Sequence, residues 1–149
     1  EALFSRSLDL TRVLGDKWRV SNALVNLGHV AVAQQNYVAA HDYYIESLAI
    51  RQSLNNQGGM AECLEGIARL RTAQGQSLAA ARLLGVAEAV REAIGAPLVP
   101  TERVVYDQLI ATLQTMLGQA DLDTARDEGR RISLDQAVAN LLHLHGPSG

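Results

Sequence analysis

Apolar residues recur at i, i+3, i+4 and i+7 along the whole chain, and no stretch alternates as a strand would, so helices are expected throughout. The first is expected from Glu1 to Leu14, carried by Leu3, Phe4, Leu8 and Leu10, and stopped at Gly15-Asp16. A second runs from about Trp18 to Gln35, with Leu24, Leu27, Ala31 and Gln34 marking successive turns until Asn36 breaks it. A third spans Val38 to Leu54 and ends in a turn containing Asn55-Asn56 and Gly58-Gly59. A fourth reaches Gln74, Gly75 interrupts, and a fifth covers Ser77 to Ile94.

The punctuation then changes. Gly95 to Pro100 is the longest cluster of helix breakers, because each proline disfavours helix in the residue before it. Thr101 is the expected N-cap of a helix to Leu117, with a buried stripe of Val105, Leu109, Leu113, Met116 and Leu117. A short helix from about Leu122 to Arg130 follows. Ser133-Leu134-Asp135-Gln136 has the form of a capping box and opens a last helix, with Leu134, Ala137, Val138, Leu141 and Leu142 on its apolar side. Residues 1–96 are thus expected to form one unit, 97–145 a set of capping helices, and 146–149 a frayed tail.

The first unit is repetitive. Phe4, Ser7, Leu8 and Leu14 recur as Tyr44, Ser47, Leu48 and Leu54, an offset of about 40 positions. Leu24, Leu27, Gly28 and Gln34 recur as Leu64, Ile67, Ala68 and Gln74, and Arg51 recurs as Arg91. Small residues at matched places let paired helices approach: Gly28 and Ala68 on one helix, Ala40 and Ala80 opposite, with Ser47 and Ala87 further on. Leu27 and Ile67, then Tyr44 and Leu84, are expected to fill the gaps.

Asn26-Leu27-Gly28, Gln34, Tyr37, Ala40, Tyr44 and Leu48 resemble the tetratricopeptide repeat pattern, and Leu64, Ile67, Ala68, Gln74, Gly75, Ala80, Leu84 and Ala87 form a looser second copy. The resemblance implies an all-α fold, a right-handed superhelix of antiparallel helix pairs with C-terminal capping helices. The period exceeds the standard form of about 34 residues, the extra length falling in the Leu54–Gly59 turn. Glu1 to Leu14 would be the second helix of a repeat whose first helix is missing, in a fragment of something longer, with an open N-terminal edge available for self-association. Ala80 to Gly85, Glu88 to Pro97 and Glu128 to Leu134, with Gln136-Ala137-Val138, further resemble the C-terminal helical segment of bacterial STAND-type ATPase and LuxR-type (MalT-like) regulators.

Composition narrows the function. A formal net charge of −3 without a basic stripe argues against direct nucleic-acid contact. No apolar run approaches the roughly 20 residues of a membrane span. Cys63 is alone, so no internal disulfide can form, and a reducing cytoplasm is the simpler location. Phosphate loops, HExxH, paired-cysteine metal patterns and GxSxG are all absent, so neither a catalytic site nor a cofactor is expected.

The remaining chemistry-bearing residues have bland readings. His143 and His145 diverge on a helix and chelate poorly. Cys63 reads as a small buried hydrophobe. Asp121, Asp123, Asp127 and Glu128, interleaved with Arg126, Arg130 and Arg131, read as solvated ion pairs within one helix. Trp18 is either a partner anchor or packed on the preceding helix.

In the tetratricopeptide family the first helix of each pair lines the concave face. The matching positions are Asn22, Val25, Asn26, His29 and Val32, then Glu62, Glu65, Arg69 and Thr72. The family's carboxylate clamp would place Lys where Val25 and Glu65 stand. The expected function is a non-catalytic interaction or sensor module of a larger bacterial signalling or transcriptional regulator. It would bind a protein or peptide segment, including another domain of its own parent, on that face. The alternative is a small-molecule effector domain with a pocket between repeats and cap helices.

Overall fold

The structure, a computed structural model, describes the backbone of residues 2–145 and the side chains of residues 12–143. The expected roles of Leu3, Phe4, Leu8 and Leu10, of the His145 side chain and of the 146–149 tail lie outside the described residues. Seven helices and no strands make up the described part: α1 (Ala2–Ala33), α2 (Tyr37–Ser53), α3 (Gln57–Ala73), α4 (Ser77–Ile94), α5 (Pro100–Leu117), α6 (Gln119–Arg130) and α7 (Leu134–His145). No helix among the described residues is long and apolar enough to cross a membrane.

The corners that follow each of α1 to α4 are copies of one device. Gln35, Asn55, Gly75 and Gly95 all take positive φ, at 61°, 53°, 81° and 67°. After each, a backbone N–H returns to a carbonyl five residues back: Asn36 to Ala31, Asn56 to Arg51, Gln76 to Arg71 and Ala96 to Arg91, at 2.8–3.0 Å. That bond ties off the otherwise unpaired carbonyls at a helix end. Asn36 and Asn56 then serve as N-caps, their side-chain oxygens accepting from the N–H groups of Ala39 and Gly59. The corners recur every 20 residues, so two of them complete a repeat.

Gly15-Asp16 occupies the same register and does not break the chain: α1 continues through it as one helix. A lone helical glycine costs only about 1 kcal/mol. No atom beyond its own local helix lies within 4 Å of where a Cβ of Gly15 would stand.

α1 pairs with α2 and α3 with α4, and α2 stacks on α3. The arrangement is an all-α, tetratricopeptide-like superhelix. The main core joins Val25, Tyr44, Ile45, Leu48, Met60, Cys63, Leu64, Ile67 and Leu70. Tyr44 is its keystone. A Cβ on either Gly28 or Gly66 would lie 2.6 Å from the Tyr44 ring, so the ring sits between two helices that carry no side chain there. Gly28 therefore makes room for Tyr44. Leu27, expected to fill a gap, is exposed among the described residues.

The C-terminal helices pack against the stack. α6 lies on α4, where Leu122 and Ala125 join Ala80, Ala81, Leu84 and Ala68 in a second core. α7 packs on α2 and α4 through Ala137, Val138 and Leu141. Ser133 caps it, accepting from Gln136 N–H at 3.1 Å. α5 lies against α3, α4 and α6. It starts two residues earlier than expected: Val99, not Thr101, is the N-cap, Pro100 occupies the first helical position, and Glu102 accepts from Val99 N–H at 3.2 Å. Proline suits that place because its missing N–H is unneeded and its φ is already helical. Its inward side is Tyr106, Leu109, Ile110, Leu113 and Leu117. Val105 and Met116, expected in the buried stripe, are exposed.

Candidate functional site, a cavity between the repeat helices and α5

The placement of α5 creates a cavity of about 240 Å³ beside α3. Its walls are His29 from α1, Glu62, Glu65, Gly66 and Arg69 from α3, Leu84 from α4, and Leu98, Thr101, Glu102, Val105, Tyr106 and Leu109 from α5 and its approach. Glu62, Glu65 and Arg69 share the cavity because they fall three, four or seven residues apart on one helix face.

Of the nine concave-face residues named from the sequence, four meet here: His29, Glu62, Glu65 and Arg69. The others do not line it. Asn22 accepts from Arg51 Nη2 at 2.8 Å, and Thr72 donates to the Ala68 carbonyl of its own helix. Val25 is buried in the core and Val32 packs against it, while Asn26 is exposed. The α5 wall carries no signal in the sequence, because nothing local determines which face of that helix turns inward.

The charges are unequally occupied. Glu62 accepts from Arg51 Nη1 at 2.8 Å. Glu65 is held bidentately by Arg91, at 2.7 and 2.9 Å, and both side chains are largely buried. Burial nevertheless pushes the Glu65 carboxyl upward, with Arg91 opposing it. Glu102 turns back to the N-terminus of α5. Arg69 makes no hydrogen bond or ion pair among the described residues, and it is half-buried in a wall otherwise rich in leucine and tyrosine. A neighbouring hollow of about 350 Å³ shares Glu65, Leu98 and Tyr106, but its buried charges are matched, Glu65 with Arg91 and Glu88 with Arg126.

His29 Nδ1 and the Tyr44 hydroxyl share a 2.7 Å hydrogen bond at the cavity edge. Burial raises the Tyr44 pKa to about 12. Burial, then the Arg69 charge, holds His29 below its ordinary value of 6.5. The native chain therefore binds fewer protons at His29 than the unfolded chain does. This contribution to stability is fully present above pH 6.5 and is lost as pH falls below it. Glu65, with its raised pKa, acts in the opposite sense at the acid end. Denaturant titrations at pH 7.5 and at pH 5.5 are accordingly expected to differ less for His29→Gln than for the parent chain. An equal pH dependence in both would show that His29 is not held neutral.

Several single residues also found their places. Trp18 is exposed and packs on no core. Cys63 is fully buried, its thiol pushed up by burial, and donates to Ser47 Oγ at 3.5 Å. The arginines of α6 pair across to α4 rather than within their own helix: Arg126 with Glu88, Arg130 with Glu88 and Glu92, and Arg82 back to Glu128. The cause is the close approach of α6 to α4, which brings the acids of α4 within reach. No group of three or more His, Cys, Asp or Glu residues gathers to hold a metal among the described residues.

Arg51 is buried, at 2% exposure. From α2 its guanidinium donates to Gly59 O, Glu62 and Asn22, all at 2.8 Å, and its Nε to Ser21 Oγ at 3.4 Å, so one side chain ties three helices together. Its repetition as Arg91 was the available signal; only the fold supplies its partners.

Comparison with known proteins agrees with this architecture. Residues 19–93, half of the chain, match the tetratricopeptide repeat family model. Proteins named as HTH-type transcriptional regulators from Mycobacterium bovis and from two strains of Mycobacterium tuberculosis are each 30% identical over 122 residues, or 82% of this chain. The chain spans 14% of the length of these relatives. No solved structure gives a significant match. With its recurring corners, paired helices and this family match, the chain belongs to the tetratricopeptide repeat family.

Proposed function

We propose that this chain is the interaction module of a transcriptional regulator, and that the α3–α5 cavity receives an apolar group carrying a negative charge. The observation that carries the reading is Arg69, a cation without an ion-pair partner among the described residues, in a largely apolar wall whose acids are occupied by Arg51, Arg91 and the α5 N-terminus. An anionic ligand group would gain a charge-assisted hydrogen bond there without displacing an existing one. The size decides between occupants. About 240 Å³ lies below the roughly 300 Å³ at which small-molecule pockets usually begin, and suits one anchoring side chain of a protein segment. The likeness to HTH-type regulators supports a regulatory setting, and the protein-binding habit of tetratricopeptide arrays supports a protein partner. Residues 97–145 serve as finishing helices, and α5 supplies the wall of the cavity beside α3. A ligand touching both α3 and α5 favours the arrangement in which they are closed, and thereby shifts the parent's equilibrium.

A second reading, a small apolar acid as effector, is favoured by α5 and its approach walling the cavity beside α3. One experiment addresses the shared chemistry. N-acetyl-L-leucine and N-acetyl-L-leucinamide are titrated into the labelled chain and followed by amide chemical shifts. The acid is expected to bind about tenfold more tightly than the amide, the worth of one charge-assisted bond, and Arg69→Gln is expected to erase that preference. Equal binding of acid and amide to the parent chain removes the anion site. Extending the acid into an N-terminal tripeptide then separates the occupants, a gain in affinity favouring a protein segment and a loss favouring the small molecule.

A further inference from the structure

We propose that His29 binds the same anionic group as Arg69 and takes up a proton from solvent as it does so. The cavity between α3 and α5 thereby holds its ligand more tightly as the pH falls. This rests on the anion-binding reading of the cavity, and adds to it a second contact and a response to pH.

The placement of the imidazole comes first. His29 and Arg69 stand at equivalent positions of successive repeats, on α1 and α3, and both line the cavity. Gly28 and Gly66 carry no side chains, so the Tyr44 ring passes between the two helices, where a Cβ on either glycine would lie 2.6 Å from it. The Tyr44 hydroxyl thereby reaches His29 Nδ1 at 2.7 Å. The other ring nitrogen, Nε2, has no hydrogen-bond partner among the described residues, and Arg69 has none there either.

The hydroxyl makes its bond to Nδ1 indifferent to the charge on the ring. With its pKa raised to about 12, Tyr44 keeps its own proton throughout the neutral range. It donates to Nδ1 of a neutral imidazole and accepts from the Nδ1–H of an imidazolium, so the ring gains a proton without losing its anchor. In both forms Nε2 carries a hydrogen for an acceptor in the cavity.

The surrounding charges set the direction of the coupling. Burial, then Arg69, disfavour the cation, Glu62 on α3 favours it, and Arg51 from α2 opposes it. Glu65 and Glu102 also line the cavity, but Arg91 holds Glu65, and Glu102 is turned to the N-terminus of α5. The free protein therefore keeps His29 neutral at neutral pH. A carboxylate seated on Arg69 cancels the second of these causes and brings a negative charge toward Nε2. The contact it then makes with the imidazolium is charged on both sides. By linkage, the factor by which the carboxylate raises proton affinity at His29 is the factor by which the proton raises carboxylate affinity.

The test titrates N-acetyl-L-leucine and N-acetyl-L-leucinamide into the chain at pH 7.5 and at pH 5.5, where the acid is still ionised. The preference for acid over amide is expected to grow several-fold at the lower pH. The His29 imidazole signals, assigned by their absence from His29→Gln, are expected to titrate at higher pH with the acid bound than with the amide. Glutamine at this position still hydrogen-bonds but takes up no proton, so the His29→Gln preference is expected to be the same at both pH values. A parent preference that does not change with pH, or one that still grows in His29→Gln, overturns the proposal and leaves the Arg69 site standing. No preference for the acid at either pH removes the anion site and the coupling together.

Discussion

Gly129→Ala is expected to detach α6 from the stack and to lower stability by about 3 kcal/mol or more. A Cβ at Gly129 would lie 1.9 Å from the Arg82 carbonyl oxygen, and one at Gly85 would lie 2.1 Å from that of Arg126. Ordinary carbon–oxygen contacts are about 3.3 Å or longer, so the two backbones must separate by more than an ångström. Neither obstacle is a flexible side-chain end that turns aside; both are carbonyls within helices. Separation opens the core of Leu84, Ala81, Leu122 and Ala125, and lengthens the Arg126–Glu88 and Arg82–Glu128 pairs. Urea denaturation followed by circular dichroism checks it. Gly15→Ala is the contrasting variant, since no atom beyond its own local helix lies within 4 Å of its Cβ position. A Gly129→Ala chain as stable as the parent would mean that α4 and α6 are not in backbone contact.

Arg51→Met is the second large effect, expected at about 3–5 kcal/mol, the cost of breaking a buried charge pair from one side. The guanidinium is almost fully buried and has partners on α1 and on α3, including the Gly59 carbonyl in the first turn of α3. Methionine keeps much of the stem's apolar packing but leaves Glu62, Asn22 and the Gly59 carbonyl without their donor. The Arg51→Met, Glu62→Gln double variant is expected to recover part of the loss, because the stranded carboxylate is then neutral. The Glu62 side chain is 36% exposed, so the recovery is partial. If the single variant unfolds at the parent's midpoint, Arg51 does not hold the three helices together.

Local signals made most of the fold legible. Gly75 and Gly95 fixed α4 to the residue, and Ser133 announced α7, because corners and caps are written in adjacent residues. Gly15-Asp16 carries the same local signal, yet α1 runs on. A corner is stable only when the helix beyond it has a surface to cover, and that information lies outside the corner.

α5 was legible as a helix but not in its orientation. Val104, Val105, Tyr106, Leu109, Ile110, Leu113, Met116 and Leu117 offer more than one apolar face, and packing against α3, α4 and α6 selected the one bearing Tyr106 and Ile110. The candidate site divides in the same way. The helical period placed Glu62, Glu65 and Arg69 together, and repeat matching added His29. The pairing of each acid with Arg51 or Arg91 depends on residues 11 and 26 positions away, so the isolation of Arg69 was invisible in one dimension. The close approaches at Gly66, Gly85 and Gly129 were hidden for the same reason, each depending on a different helix.

The most direct test of a binding cavity at Arg69 is the set of intermolecular nuclear Overhauser effects between the methyl groups of N-acetyl-L-leucine and the methyl-labelled chain. The account predicts cross-peaks to Leu84, Leu98, Val105 and Leu109, and their loss in Arg69→Gln. Cross-peaks confined to other surfaces, or none at saturating acid, would contradict it.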